Sequence, residues 1–141
     1  MLRSRARSQV VVACGLALVT LSGCTSAKTV TVTGKVVLPP KVKVAETDSI
    51  TVAFVREDDP SAPGGSAAAS PPGLTFETNM RPGKYKVSVR VQAYAGMKDS
   101  QNRERELAQQ MASAPSLSYE VTGDSRQSIT IDLVKGTVTK N

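Results

Sequence analysis

The sequence predicts an all-β fold: an antiparallel β-sandwich of six or seven short strands with one short helical insertion. Three observations carry this. β-branched and aromatic residues recur at every second position in several short runs, as half-buried strands require. Proline, glycine, aspartate and asparagine punctuate the intervals between the runs. Only one stretch departs from period two toward helical spacing.

The amino terminus precedes that pattern. Arg3, Arg5 and Arg7 lead into an apolar run from Val10 to Thr20, followed by Leu21-Ser22-Gly23-Cys24. A basic start, a short apolar stretch and a small-residue site form the layout of a cleaved export signal. The run is too short to cross about 30 Å of hydrocarbon as a helix. Leu21-Ser22-Gly23-Cys24 resembles the lipobox of bacterial lipoproteins, in which the cysteine is acylated. The expectation is a signal peptide over residues 1–23, with Cys24 the lipidated first residue of the mature chain and 24–28 a polar tether. Val11-Val12-Ala13-Cys14 has a similar form but almost no apolar segment before it, so Cys14 reads as a signal residue. The mature chain would then have one cysteine, already acylated, and neither a disulfide nor a thiol nucleophile. One acyl chain anchors only marginally and two or more anchor stably. Thr25, where an inner-membrane retention signal often has aspartate, implies by the same resemblance an outer-membrane or cell-surface destination.

Removing 23 of the 141 residues leaves 118, the size of one compact domain able to hold a core without disulfides or metal. The three arginines account for half of the formal charge of +6 and leave a weakly basic +3. The remaining cations are scattered, and only Phe76, Tyr85, Tyr94 and Tyr119 follow residue 70, so the basic-plus-aromatic pattern of nucleic-acid binding is absent.

From residue 29 onward, Val30 and Val32 alternate with threonines and lead through Gly34-Lys35 into Val36-Val37-Leu38, a strand stopped by Pro39-Pro40. Ile50, Val52 and Phe54 alternate in a second strand. Residues 57–73, rich in proline, glycine and alanine, read as a mobile loop, with Leu74-Thr75-Phe76-Glu77 a short strand after it. Arg81-Pro82-Gly83-Lys84 is a turn. It opens the clearest strand, with Tyr85, Val87, Val89, Val91 and Ala93 on a core face and Lys84, Lys86, Ser88, Arg90 and Gln92 in water. Residues 99–113 read as the helical insertion: Asp99 or Ser100 caps it, Leu107 and Met111 share its apolar face, and Arg103 to Glu106 face solvent. Leu117, Tyr119 and Val121, then Ile129, Ile131 and Leu133, form a hairpin, and residues 136–139 close the sheet.

Val32-Thr33-Gly34-Lys35-Val36, Ile50 to Val55 and Arg81-Pro82-Gly83-Lys84-Tyr85-Lys86-Val87 together resemble the transthyretin-like, or carboxypeptidase regulatory-like, β-sandwich domain. The resemblance covers about residues 30–94. It implies an Ig-like or prealbumin-like sandwich serving as a non-catalytic accessory or binding module, with no active-site residues to carry over. The sequence departs from the family pattern at Pro72-Gly73-Leu74-Thr75-Phe76, where an Asp-Gly turn is usual, and in the helical insertion.

Enzymatic chemistry finds few tools. There is no histidine, so Ser-His-Asp hydrolysis and imidazole-built zinc sites are excluded. Glu57-Asp58-Asp59 is the only acidic cluster, and it lacks the spaced oxygen ligands of a calcium loop. A Ser88–Lys84–Lys86 pairing falls on a wet strand face with nothing to lower a lysine pKa. The three tyrosines suit core packing better than a ligand platform. The expectation is therefore a non-enzymatic, lipid-anchored envelope protein without cofactor or metal. It would meet the membrane through acyl chains on Cys24 and bind an envelope protein or polysaccharide. The alternative is a carrier or receptor for a small apolar or sugar-like ligand.

Overall fold

The structure, a computed structural model, describes residues 27–94, 96 and 98–141; the expected signal segment, and Cys24 with it, lies outside them. Its elements run β1 (Val30–Val37), β2 (Ser49–Arg56), β3 (Gly65–Ala69), β4 (Thr75–Met80), β5 (Gly83–Gln92), α1 (Ser100–Met111), β6 (Leu117–Val121), β7 (Arg126–Asp132) and β8 (Thr137–Lys140). They form two four-stranded sheets, β4-β1-β7-β8 and β3-β2-β5-β6.

Alternation in the sequence is what makes the two sheets face each other. Val30, Val32 and Val36 of β1, with Ile129 and Ile131 of β7, bury one face of the first sheet. Ile50, Val52 and Phe54 of β2, with Tyr85, Val87 and Val91 of β5, bury the facing side of the second. The Phe54 ring lies 6.0 Å from that of Phe76 and edge-on to Tyr85 at 6.5 Å, so aromatics from β2, β4 and β5 fill the middle of the sandwich. A side chain at residue 34 would enter the Phe76 ring, which is why β1 carries glycine there.

The all-β sandwich with one short helix is as expected, with several corrections of detail. There are eight strands among the described residues where six or seven were expected. The sheets are mainly antiparallel, but the expected hairpin of β6 with β7 does not form, because the turn between them carries the chain from one sheet to the other: β6 pairs with β5, and β7 pairs with β8 and, in parallel, with β1, Thr31 opposite Arg126 through Val37 opposite Asp132. Residues 57–73 are not one loop: β3 lies within them and pairs with β2 from Ile50↔Ala69 to Phe54↔Gly65. β4 runs on to Met80. The helix spans Ser100–Met111, shorter than 99–113. Asp99 precedes it without a side-chain capping bond, and Leu107 is its one buried residue.

Arg103 corrects a further expectation. Its side chain is only partly exposed, and the guanidinium turns back onto the domain to reach the buried Asp48 and the Lys43 carbonyl. Arg103, Leu107 and Met111 are four apart and share one helix face, so the residue that docks by charge sits in line with those that dock by apolar contact.

Candidate functional site

The strand registers sort the loops to two ends of the sandwich. At the end where β1 begins, Thr31 N–H donates to the Ser125 carbonyl at 3.0 Å and Lys28 approaches Gly123, so residues 27–29 enter beside the β6–β7 turn. Gly83↔Val121 and Arg56↔Tyr85 bring the β4–β5 turn and the start of the 57–64 loop to that same end. The opposite end gathers residues 38–48, the β3–β4 turn and α1.

At that opposite end lies a cleft of about 410 Å³, walled by Leu38, Pro39, Val42, Pro71, Pro72 and Leu74, with the Glu46 carboxylate among them. Its construction follows from local chemistry. Pro39-Pro40 ends β1, and Val42 N–H closes a turn onto the Pro39 carbonyl at 2.9 Å. Leu74 takes a left-handed conformation, with φ of 49°, and its N–H bonds the Ser70 carbonyl at 2.9 Å. Its own carbonyl accepts from Val36 N–H at 3.0 Å, joining the β3–β4 turn to the end of β1. Prolines on both walls limit how far the cleft can collapse.

One wall is braced from behind. The Asp48 side chain has no exposed surface; it accepts from Ala45 N–H at 2.8 Å, from Arg103 Nε at 3.2 Å and from Arg103 Nη2. The same guanidinium donates to the Lys43 carbonyl at 3.1 Å, and Lys41 Nζ donates to Ser113 Oγ at 3.0 Å. The hydrogen bonds from Arg103 hold the Asp48 carboxyl below the usual aspartate range, against the opposing effect of burial. A cleft of this size, mostly apolar with one charged group, has the character of a small-ligand or short-segment site.

The other sequence candidates do not converge. Asp58 is held by Arg56 at 2.9 and 2.6 Å, which pulls its pKa down to about 2; Asp59 accepts from Ser61 N–H and Oγ; Glu57 accepts from Ser118 Oγ at 2.6 Å. Each carboxylate of that cluster is turned to a separate partner, and among the described residues no group of three or more acidic or cysteine side chains could hold a metal ion. Lys84, Lys86 and Ser88 lie on the exposed face of β5. Tyr85 is wholly buried and donates to the Arg81 carbonyl at 2.8 Å, while Tyr94 is exposed.

Tyr119 donates at 2.7 Å to Oε1 of the buried Gln127, whose Nε2 donates to the Thr122 carbonyl and hydroxyl at 2.9 and 2.8 Å. This closed network pins the β6–β7 turn, and burial raises the Tyr119 phenol. Sequence reading missed the cleft because its walls come from segments about thirty residues apart. It also missed Asp48, for which the helical spacing of Arg103 and Leu107 was the available signal. Among the described residues no helix is long and apolar enough to cross a membrane. No known protein family, no curated protein and no solved structure matches the chain.

Proposed function

We propose that this chain is a cell-envelope lipoprotein, anchored by acyl chains on Cys24, whose transthyretin-like sandwich acts as a non-catalytic binding module. The observation that carries the reading is Leu21-Ser22-Gly23-Cys24, placed after an apolar run and just before Val30, the fully buried first residue of β1. The five residues from Thr25 to Thr29 span at most about 18 Å when extended, so the end of the sandwich where β1 begins lies close to the bilayer. Binding then falls to the far end, where the proline-walled cleft opens away from the membrane. The partner is an envelope protein or polysaccharide.

Intact mass spectrometry of the protein from its native membrane tests the anchor. The expected product starts at Cys24 and carries acyl mass, and Cys24→Ala leaves an unacylated chain released from the membrane. An unacylated wild-type product would refute the reading. The cleft also favours a second reading, a carrier for a small apolar ligand. Because Phe54, Tyr85, Ile50 and Ile129 fill the space between the sheets, such a ligand would have to use the end cleft.

A further inference from the structure

β5 is twice as long as the strand that covers one of its edges. β2 pairs with it from Ser49↔Gln92 to Arg56↔Tyr85, whereas β6 pairs only from Gly83↔Val121 to Val87↔Leu117. Glu57 N–H, one residue beyond β2, donates to the Lys84 carbonyl at 3.0 Å, which sets the phase of the ladder. Even-numbered residues of β5 turn their backbone groups toward β2 and odd-numbered ones toward β6. Val89 thus presents both its N–H and its carbonyl where β6 has already ended, and no described residue bonds them.

The sequence explains the gap. Continuing the register places Ser116 opposite Ser88 and Pro115 opposite Val89, and proline has no N–H to offer the Val89 carbonyl. The segment before β6 instead leaves the edge, and the Pro115 ring packs on the β7–β8 turn. There its Cγ lies 3.0 Å from where a side chain on Gly136 would begin. Between the β5 edge and this diverging segment runs a groove of about 490 Å³, with Val89, Ala114, Pro115 and Leu133 in its walls and Ser88 and Arg90 on its rim. Arg90 faces Thr51 across the sheet and makes no ion pair among the described residues, while Glu57 lies farther along, beside Lys84.

We propose that the Val89 edge of β5 takes up an extended peptide segment of an envelope protein by strand addition. An apolar residue of that segment sits opposite Val89 and an acidic residue opposite Arg90. Backbone pairing supplies both of the missing Val89 hydrogen bonds, period two turns the residue opposite Val89 inward toward Leu133, and the neighbouring position then faces the guanidinium. Run antiparallel, as β6 is, the segment reads acidic, apolar, polar against Arg90, Val89 and Ser88. This deepens the binding-module reading and does not depend on the lipid anchor.

The test uses the full chain, isotope-labelled and purified in detergent micelles, with the capped peptide Val-Thr-Asp-Val-Ser, which stops short of the Val87–Leu117 pair, at millimolar concentration. The expected result is a saturable shift of the Val89 amide resonance and a roughly tenfold slowing of its hydrogen exchange. The same peptide N-methylated at its second valine should not bind, because it has lost the donor for the Val89 carbonyl. Arg90→Glu should weaken the acidic peptide roughly tenfold and favour its lysine counterpart, since the charge pairing has been inverted. An unmoved Val89 amide, or equal binding of the N-methylated peptide, overturns the proposal. The mass of the same preparation reports acylation separately, so peptide binding by an unacylated chain refutes the anchor alone.

Discussion

Asp48 is a carboxylate with no exposed side-chain surface, one of two buried polar residues among those described, and its three donors explain how it is tolerated there. The pair joins residues 43–48 to a helix whose ends are poorly capped and whose apolar anchorage rests on Leu107 and Met111. Its Asp99 cap makes no side-chain bond, its first turn has no acidic residue, its last turn has no basic one, and Leu107 alone is buried. Asp48→Asn keeps the shape but loses the charge, and should lower stability at neutral pH by about 1.5–3 kcal/mol, the range for hydrogen bonds to a charged group. The folded-state pKa is depressed, so the contribution is complete above the unfolded aspartate value near 3.9 and disappears as pH falls through the lower folded value. Urea unfolding of both proteins at several pH values should show a gap that closes below about pH 3.9. A gap undiminished at the lowest pH would mean that the ionised carboxylate is not its source.

At the scale of elements, the strands legible from sequence are those that bury large alternating side chains, such as β2 with Ile50, Val52 and Phe54 and β5 with Tyr85, Val87 and Val91. β3 escaped because its Gly-Ser-Ala-Ala-Ala sequence has poor strand propensity and no large residue to reveal the period. The small residues have a packing cause. The edges of the two sheets close on each other there: a side chain on Gly65 would lie 2.6 Å from Met80 Sδ, and Thr78 Oγ1 donates to the Ser66 carbonyl at 3.4 Å. The parallel pairing of β1 with β7 was illegible for another reason, since it joins strands nearly a hundred residues apart and leaves no local mark. Gly65→Val should cost about 1–3 kcal/mol by crowding Met80, while Ser66→Val, on the exposed side of the same strand, should stay within about 0.5 kcal/mol. Thermal unfolding of the two variants checks this, and similar losses in both would show that propensity rather than crowding governs β3.

For the whole molecule, the strands act as a spacer between two unlike ends. β1 enters beside the β6–β7 turn and leaves at the proline-walled cleft, and its eight residues at about 3.3 Å each set these ends about 26 Å apart. An acyl anchor six residues before β1 would therefore hold Gly123 near the lipid surface and Glu46 beyond it. The Val89 groove lies nearer the cleft end, because β5 runs from Gly83, at the end where β1 begins, to Gln92 beside Ser49. Both binding surfaces would then be offered to molecules approaching from outside the bilayer. A fluorophore on Gly123→Cys in the acylated protein, reconstituted into vesicles, should transfer energy strongly to a lipid-headgroup acceptor, and one on Glu46→Cys only weakly. The 26 Å separation is comparable to common transfer distances, so the contrast is measurable. Equal transfer from the two sites would mean that the domain lies flat on the membrane, and the cleft would then face the lipid surface instead of a partner.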